Sequence, residues 1–256
     1  MIKLTYINSL IFLFLVAGFI SCKKDPDPVE PVPVPVTGSV ILNFENKFGD
    51  SALVLNTGTY ITASNDTFSV SKFDYYISNI RLIKDDLSVY AESESYHLLK
   101  AGSPGSLLLT LTGVPVGTYT GIEFMIGVDS LRNVSGAQTG ALDPSNGMFW
   151  SWSTGYIMSK VEGSTVGGTE LEFHIGGFKG GNKVLKTVSP SFNAATAIVS
   201  ETAVPHINIS ADLAEWFKTP TNIDFTVTHG VSIPGANAKM LADNYADMFS
   251  VMGIEN

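Results

Sequence analysis

The chain has 256 residues, enough for one or two domains, with a formal net charge of -9 and only 15% charged residues. Its 24 glycines and 11% aromatic content favour β structure with many turns over a helical bundle. The excess of Asp and Glu excludes the Lys- and Arg-rich patch that phosphates require, so no nucleic-acid partner is expected.

At the N-terminus, Lys3 precedes an apolar run from Ile7 to Ile20. This is shorter than the ~20 residues of a bilayer span and fits the apolar core of a secretory signal. The run ends in Phe19-Ile20-Ser21-Cys22, which resembles a bacterial lipobox. Residues 1–21 are therefore expected to be a lipoprotein signal peptide, with Cys22 lipidated and anchored to a membrane. That places the protein in the cell envelope as an outer-membrane lipoprotein, periplasmic or surface-exposed. Cys22 is the only cysteine, so once it carries lipid the folded part has neither a disulfide nor a thiolate metal ligand. Residues 22–37 alternate Pro with Val, Asp and Glu. Such a segment favours an extended polyproline II spacer and cannot pack a core.

A single folded domain is expected over residues 38–256. Alternation and turn residues predict strands at Ser39–Phe44, Thr59–Thr62, Thr67–Val70, Asp74–Ile83, Tyr96–Leu99 and Ser106–Thr112. Further strands are predicted at Thr118–Val128, at Met148–Ser159 with a bulge at Gly155, and at Glu170–Ile175, His206–Ser210 and Asp224–Thr228. Helical spacing is confined to Ala211–Phe217, with Ser210 as N-cap, and Ala236–Met248. The expected fold is an all-β, antiparallel β-sandwich of the immunoglobulin or jelly-roll kind with one or two short helices.

No serine-hydrolase elbow, phosphate loop or tight His pair is present, and the protein is not expected to be an enzyme. In Leu171-Glu172-Phe173-His174-Ile175 the apolar residues share one face, so His174 points the other way, beside Glu172. His206 likewise opposes Ile207 and Ile209, and His97 precedes a Leu pair. The polar segment 127–146 offers Asp129 and Asp143 as hard oxygen ligands for calcium, although the same residues suit Asx turns in an ordered surface loop. In Gly147-Met148-Phe149-Trp150-Ser151-Trp152 the large side chains recur every second residue, which suits either a core face or the wall of a site.

Several motifs in order resemble the MbnP-like family, copper-binding proteins associated with methanobactin loci that have many lipoprotein relatives in Bacteroidetes. They are Ser71-Lys72-Phe73-Asp74-Tyr75-Tyr76-Ile77-Ser78-Asn79-Ile80, Gly127-Val128-Asp129-Ser130, Gly140-Ala141-Leu142-Asp143-Pro144 with Gly147 to Trp152, Gly155-Tyr156 with Glu162-Gly163, and Phe173-His174-Ile175-Gly176-Gly177. The resemblance implies an extracytoplasmic β-sandwich with copper as ligand. It also implies histidine ligation beside a tryptophan oxidised to kynurenine by a dihaem peroxidase partner of the MbnH type. Carried onto this chain, His174 becomes the motif-anchored ligand, and Trp150 or Trp152 the modified residue. With no thiol present, His97, His206 and Met148 are the further candidate ligands, because imidazole and thioether both suit copper. Relatives also carry His just after the first strand and near the C-terminal end, where this chain has Phe44-Glu45-Asn46 and Val251-Met252-Gly253-Ile254-Glu255. The alternative reading is a cell-surface module that binds glycan or protein through exposed tryptophans, without metal.

Overall fold

Alternating Val40, Leu42, Phe44 and Asn46 turn one side of the first strand, β1 (Thr37–Phe48), into the protein interior. The computed structural model describes residues 35–136, 138–151 and 154–256. Residues 1–34, with Cys22 and the expected signal peptide, and Trp152 lie outside the described residues. In chain order, β1 is followed by β2 (Ser51–Ala52), β3 (Tyr60–Ile61), β4 (Thr67–Lys84), β5 (Val89–Ala91), β6 (Tyr96–Lys100), β7 (Leu108–Pro115) and β8 (Gly117–Ile126). A one-turn helix, α1 (Ser130–Asn133), leads to β9 (Phe149–Ser151), β10 (Gly155–Thr165), β11 (Glu170–Gly176), β12 (Lys186–Val188) and β13 (Ala197–Val199). The chain closes with β14 (His206–Asp212), β15 (Gly230–Val231), α2 (Ala236–Tyr245) and β16 (Phe249–Glu255).

These strands build the expected sandwich. The smaller sheet runs β16-β14-β1, with β7 on the other edge of β1 and β2 pairing its end. The larger sheet is organised on β4. One edge of β4 takes β3, β6 and β5; the other takes β10 beside residues 68–75 and β8 beside residues 77–84. Beyond β10 lie β11 and β15. Two pairings, β1–β14 and β11–β15, are parallel rather than antiparallel. Between the sheets, Phe44, Phe124 and Phe249 meet edge to face at 5.0–6.2 Å. Phe68, Phe217 and Phe225 do the same at 5.1–5.6 Å.

Several elements differ from expectation for identifiable reasons. The two strands predicted at 67–70 and 74–83 are one 18-residue strand. The predicted strand Met148–Ser159 is two, β9 and β10, paired antiparallel with an irregularity at Gly155/Tyr156. Ala211–Phe217 begins as the end of β14 and then winds into a 3-10 helix over Leu213–Phe217. Asp212, not Ser210, caps it, accepting from the Ala214 N–H at 2.9 Å, while the Ser210 hydroxyl meets that of Ser250. Asp224–Thr228 is a turn closed by the Asp224 carboxylate on Thr226. The helix predicted from Ala236 ends at Tyr245.

The segment 127–151 folds over the outward face of the larger sheet. Asn133, almost fully buried, pins it. Its Nδ2 donates to the Val128 and Asp129 carbonyls at 2.6 and 2.9 Å, and its Oδ1 accepts from the Tyr156 N–H at 2.9 Å. Gly155 must be glycine here, because its φ is +75° and a Cβ would lie 2.2 Å from Asn133 Oδ1. Replacing Asn133 with Ala would strand the buried Val128 carbonyl and Tyr156 N–H, while the Asp129 carbonyl keeps the residue-133 N–H. The expected loss is about 2–4 kcal/mol of unfolding free energy, read from the urea midpoint.

Candidate functional site

The outward face of the larger sheet carries an unusual row of charge. Pairing sets Lys100 (β6), Asp74 (β4), Lys160 (β10) and His174 (β11) side by side across four strands. The next row holds Lys72, Glu162 and Glu172. Alternation in β4 sends Phe73, Tyr75 and Ile77 inward and Asp74 and Tyr76 outward, so both faces of this strand are covered.

The cover is the 127–151 segment, held mainly by its carbonyls. Tyr76 and Tyr156 donate to the Ala141 and Leu142 carbonyls at 2.9 and 2.7 Å, and their rings meet edge to face at 5.7 Å. Lys160 Nζ donates to the Gly147 carbonyl at 2.7 Å, and Lys100 Nζ to Asn146 Oδ1 at 3.1 Å. Under this cover, burial pushes the Asp74 carboxyl up against the opposing pull of Lys100, Lys72 and Lys160. Burial also pushes the Lys160 ammonium down, against the pull of Glu162.

His174 ends this row on β11, its side chain 13% exposed. Its Nε2 meets Glu162 Oε1 at 2.9 Å and its Nδ1 meets Glu172 Oε1 at 3.2 Å. Glu162 is further held by Lys72 at 2.9 Å, and the Glu172 side chain is 59% exposed. Burial lowers the proton affinity of His174, and the hydrogen bond to Glu162 opposes this. Burial also works against the Glu162 charge, but the bonds from Lys72 and His174 and the neighbouring ammonium charges hold its carboxyl below the ordinary range.

Trp150 shares this face. A Cβ on Gly176 would lie 2.3 Å from Trp150 Cζ3, so the indole rests directly on the backbone of β11. His174 and Gly176 are two residues apart on a regular strand, on the same face and roughly 6.6 Å apart along it. Gly176 is thus required by the close approach of the ring.

His97 and His206 are not brought to this place. His97 pairs with Ile77, on the opposite face from Asp74, and contacts Glu92 at 2.8 Å. It lies three strand spacings from His174, about 14 Å, before any offset along the strands. His206 is on the smaller sheet, between Ile41 and Glu255. Met148 is 1% exposed within the apolar core. Phe44–Asn46 and Val251–Glu255, singled out by the resemblance, also fall on the smaller sheet. There Asn46 turns inward and accepts from the Tyr75 hydroxyl at 2.9 Å. Among the described residues, no group of three or more His, Cys, Asp or Glu is placed to hold a metal ion. A closed copper cage does not fit these residues; an open site of one imidazole nitrogen and one carboxylate does.

The two calcium candidates are each engaged by local partners. Asp129 caps α1 through the Arg132 N–H at 3.1 Å and also accepts from Tyr96 at 2.5 Å and Asn79 at 3.3 Å. Asp143 caps a separate 3-10 turn through the Ser145 N–H. These are the Asx-type roles that the polar loop also allowed.

Sequence reasoning missed Asp74, Lys160 and Glu162 as site residues. The charged Lys72 and Asp74, alternating with Phe73 and Tyr75, signalled an outward face, but their partners are fixed only by strand register.

A family model for MbnP matches residues 37–237. The chain belongs to the MbnP family. Among solved structures, MbnP from Methylosinus trichosporium is similar in fold, with 14% identity and a TM-score of 0.55 over 86% of this chain and 99% of that one. No curated protein sequence matches it. The MbnP match contains every residue of the outward face described above and ends before β16.

Two outcomes follow. Gly176→Ala should displace the Trp150 ring, giving a red-shifted tryptophan emission and a loss of about 1–3 kcal/mol in stability. Folded His174 and Glu162 both bind protons less readily than in the unfolded chain, so acidification protonates the unfolded state first. Their stabilisation is present above the ordinary His and Glu values, about 6.5 and 4.3, and is lost as pH falls through the lowered folded values. Unfolding free energy should therefore drop as pH goes from about 7 to about 5, and His174→Gln should flatten that part of the curve.

Proposed function

We propose that this MbnP-family protein is a lipid-anchored, extracytoplasmic copper-binding protein and not an enzyme, with copper taken at His174. The observation that carries this reading is that His174 and Trp150 occupy one face of β11, joined through Gly176. The shorter contact commits Nε2 to Glu162, which Lys72 holds in turn. Nδ1 faces the exposed carboxylate of Glu172, which can share a cation with it. An imidazole nitrogen and a carboxylate oxygen suit Cu(II). Glu162 then serves as the outer carboxylate that orients the ring.

With so few protein donors, the site is open to exchange, which suits a protein that holds copper in transit. Cys22 supplies the anchor, and the Pro-rich composition of the residues after it suits a spacer. Trp150, or its neighbour Trp152, is the residue that a dihaem peroxidase-type partner would convert to kynurenine. A glycan-binding surface calls for rings open to solvent, whereas one side of Trp150 is closed by Gly176.

The test uses the soluble domain from Thr37, loaded with Cu(II) and desalted. Stoichiometric copper is expected. His174→Ala should abolish it, and Glu162→Gln should weaken it roughly 10–100-fold. A wild type without copper, or copper unchanged by His174→Ala, rejects the reading. Intact mass of protein from its native source tests kynurenine separately, and an unmodified mass removes that part alone.

A further inference from the structure

We infer that Lys160 is a positioning residue that couples the tryptophan-bearing strand β9 to the imidazole of His174. The inference rests on the copper reading for its ligand, but the coupling element is in the chain itself. Lys160 Nζ donates to the Gly147 carbonyl at 2.7 Å and lies 3.9 Å from Glu162 Oε1. That same Glu162 oxygen is 2.9 Å from His174 Nε2. Gly147 directly precedes Met148-Phe149-Trp150, and the Met148 carbonyl accepts from the Ile157 N–H at 2.9 Å. A contiguous polar path therefore runs from His174 through Glu162 and Lys160 to the strand that carries Trp150.

The Lys160 side chain is only 10% exposed, so it cannot exchange these partners freely for water. An ammonium has three donors and no acceptor. Its attraction is divided between the Gly147 carbonyl, the Glu162 carboxylate and the Asp74 carboxylate in the adjacent register position. A cation on His174 makes the ring N–H a stronger donor and draws Glu162 Oε1 towards it. Lys160 then has less of that oxygen and leans more on Gly147, which seats β9 more firmly. By linkage, a firmly seated β9 raises affinity at His174 by the same factor.

The experiment is hydrogen exchange by mass spectrometry over residues 147–157, without metal and with Cu(II), in the soluble domain from Thr37. It compares wild type with Lys160→Met and Lys160→Arg. Lys186→Met, which removes the remote partner of Asp243, controls for generic charge loss. In wild type, Cu(II) should slow exchange of this segment. Lys160→Met should speed metal-free exchange about tenfold and erase the copper effect, while Lys160→Arg restores part of both and Lys186→Met behaves as wild type. Circular dichroism confirms that each variant is folded. Should Lys160→Met unfold the domain, Lys160→Arg carries the decision: a copper effect reduced from wild type supports the coupling, and an undiminished one rejects it. Metal-free exchange in Lys160→Met equal to wild type, or a copper effect of unchanged size, overturns the inference. A wild type that takes up no Cu(II) removes the copper reading and the ligand-linked half of the inference, and the metal-free comparison then decides whether Lys160 seats β9.

Discussion

Charges placed beneath a loop must each find a partner there, because water cannot reach them freely. That constraint organises one side of this molecule. The larger sheet buries its inward face against the smaller sheet in the ordinary way of a sandwich. Its outward face at β6, β4, β10 and β11 carries Lys100, Asp74, Lys160 and His174 in one row, and the segment 127–151 lies across part of it. The segment answers with carbonyl and amide oxygens at Ala141, Leu142, Asn146 and Gly147, each meeting a tyrosine hydroxyl or an ammonium from the sheet. The loop sequence is polar because its backbone and side chains cap and clamp, not because it is idle surface.

The same constraint leaves His174 in a distinctive position. Deeper members of the row are enclosed, while His174 is flanked by one anchored carboxylate and one exposed carboxylate. An imidazole gripped on one nitrogen and loosely attended on the other is oriented and yet available. Trp150 approaches from the side, resting on main chain at Gly176. Because the ring sits on backbone, side-chain changes elsewhere on β11 leave its seat intact.

Much of the sandwich could be read from alternation, since strands with one buried face keep a period of two. The failures fall where that premise breaks. The split between the two predicted strands fell at Ser71-Lys72-Phe73, where the polar Ser71 and Lys72 turn from the core, so one long strand looked like two shorter ones. Met148, Trp150 and Trp152 suggested a single strand face running on to Ser159, but the chain turns back between β9 and β10. His174 was singled out correctly as facing away from Leu171, Phe173 and Ile175. Its neighbours Lys160 and Glu162 were invisible, because register between β10 and β11 is a tertiary property. The predicted gathering of His97 and His206 failed for the same reason: sequence gives residue types, and only pairing gives distance.

The placement of β1 has a mechanical consequence. The chain enters the fold at Thr37 on a strand flanked on both sides, by β7 antiparallel and β14 parallel. A pull on the preceding residues runs along β1 and loads both ladders in shear. Their hydrogen bonds must then yield together, whereas a strand peeled sideways gives way one bond at a time. A protein that hangs by its N-terminal end would thus meet drag at its most resistant attachment.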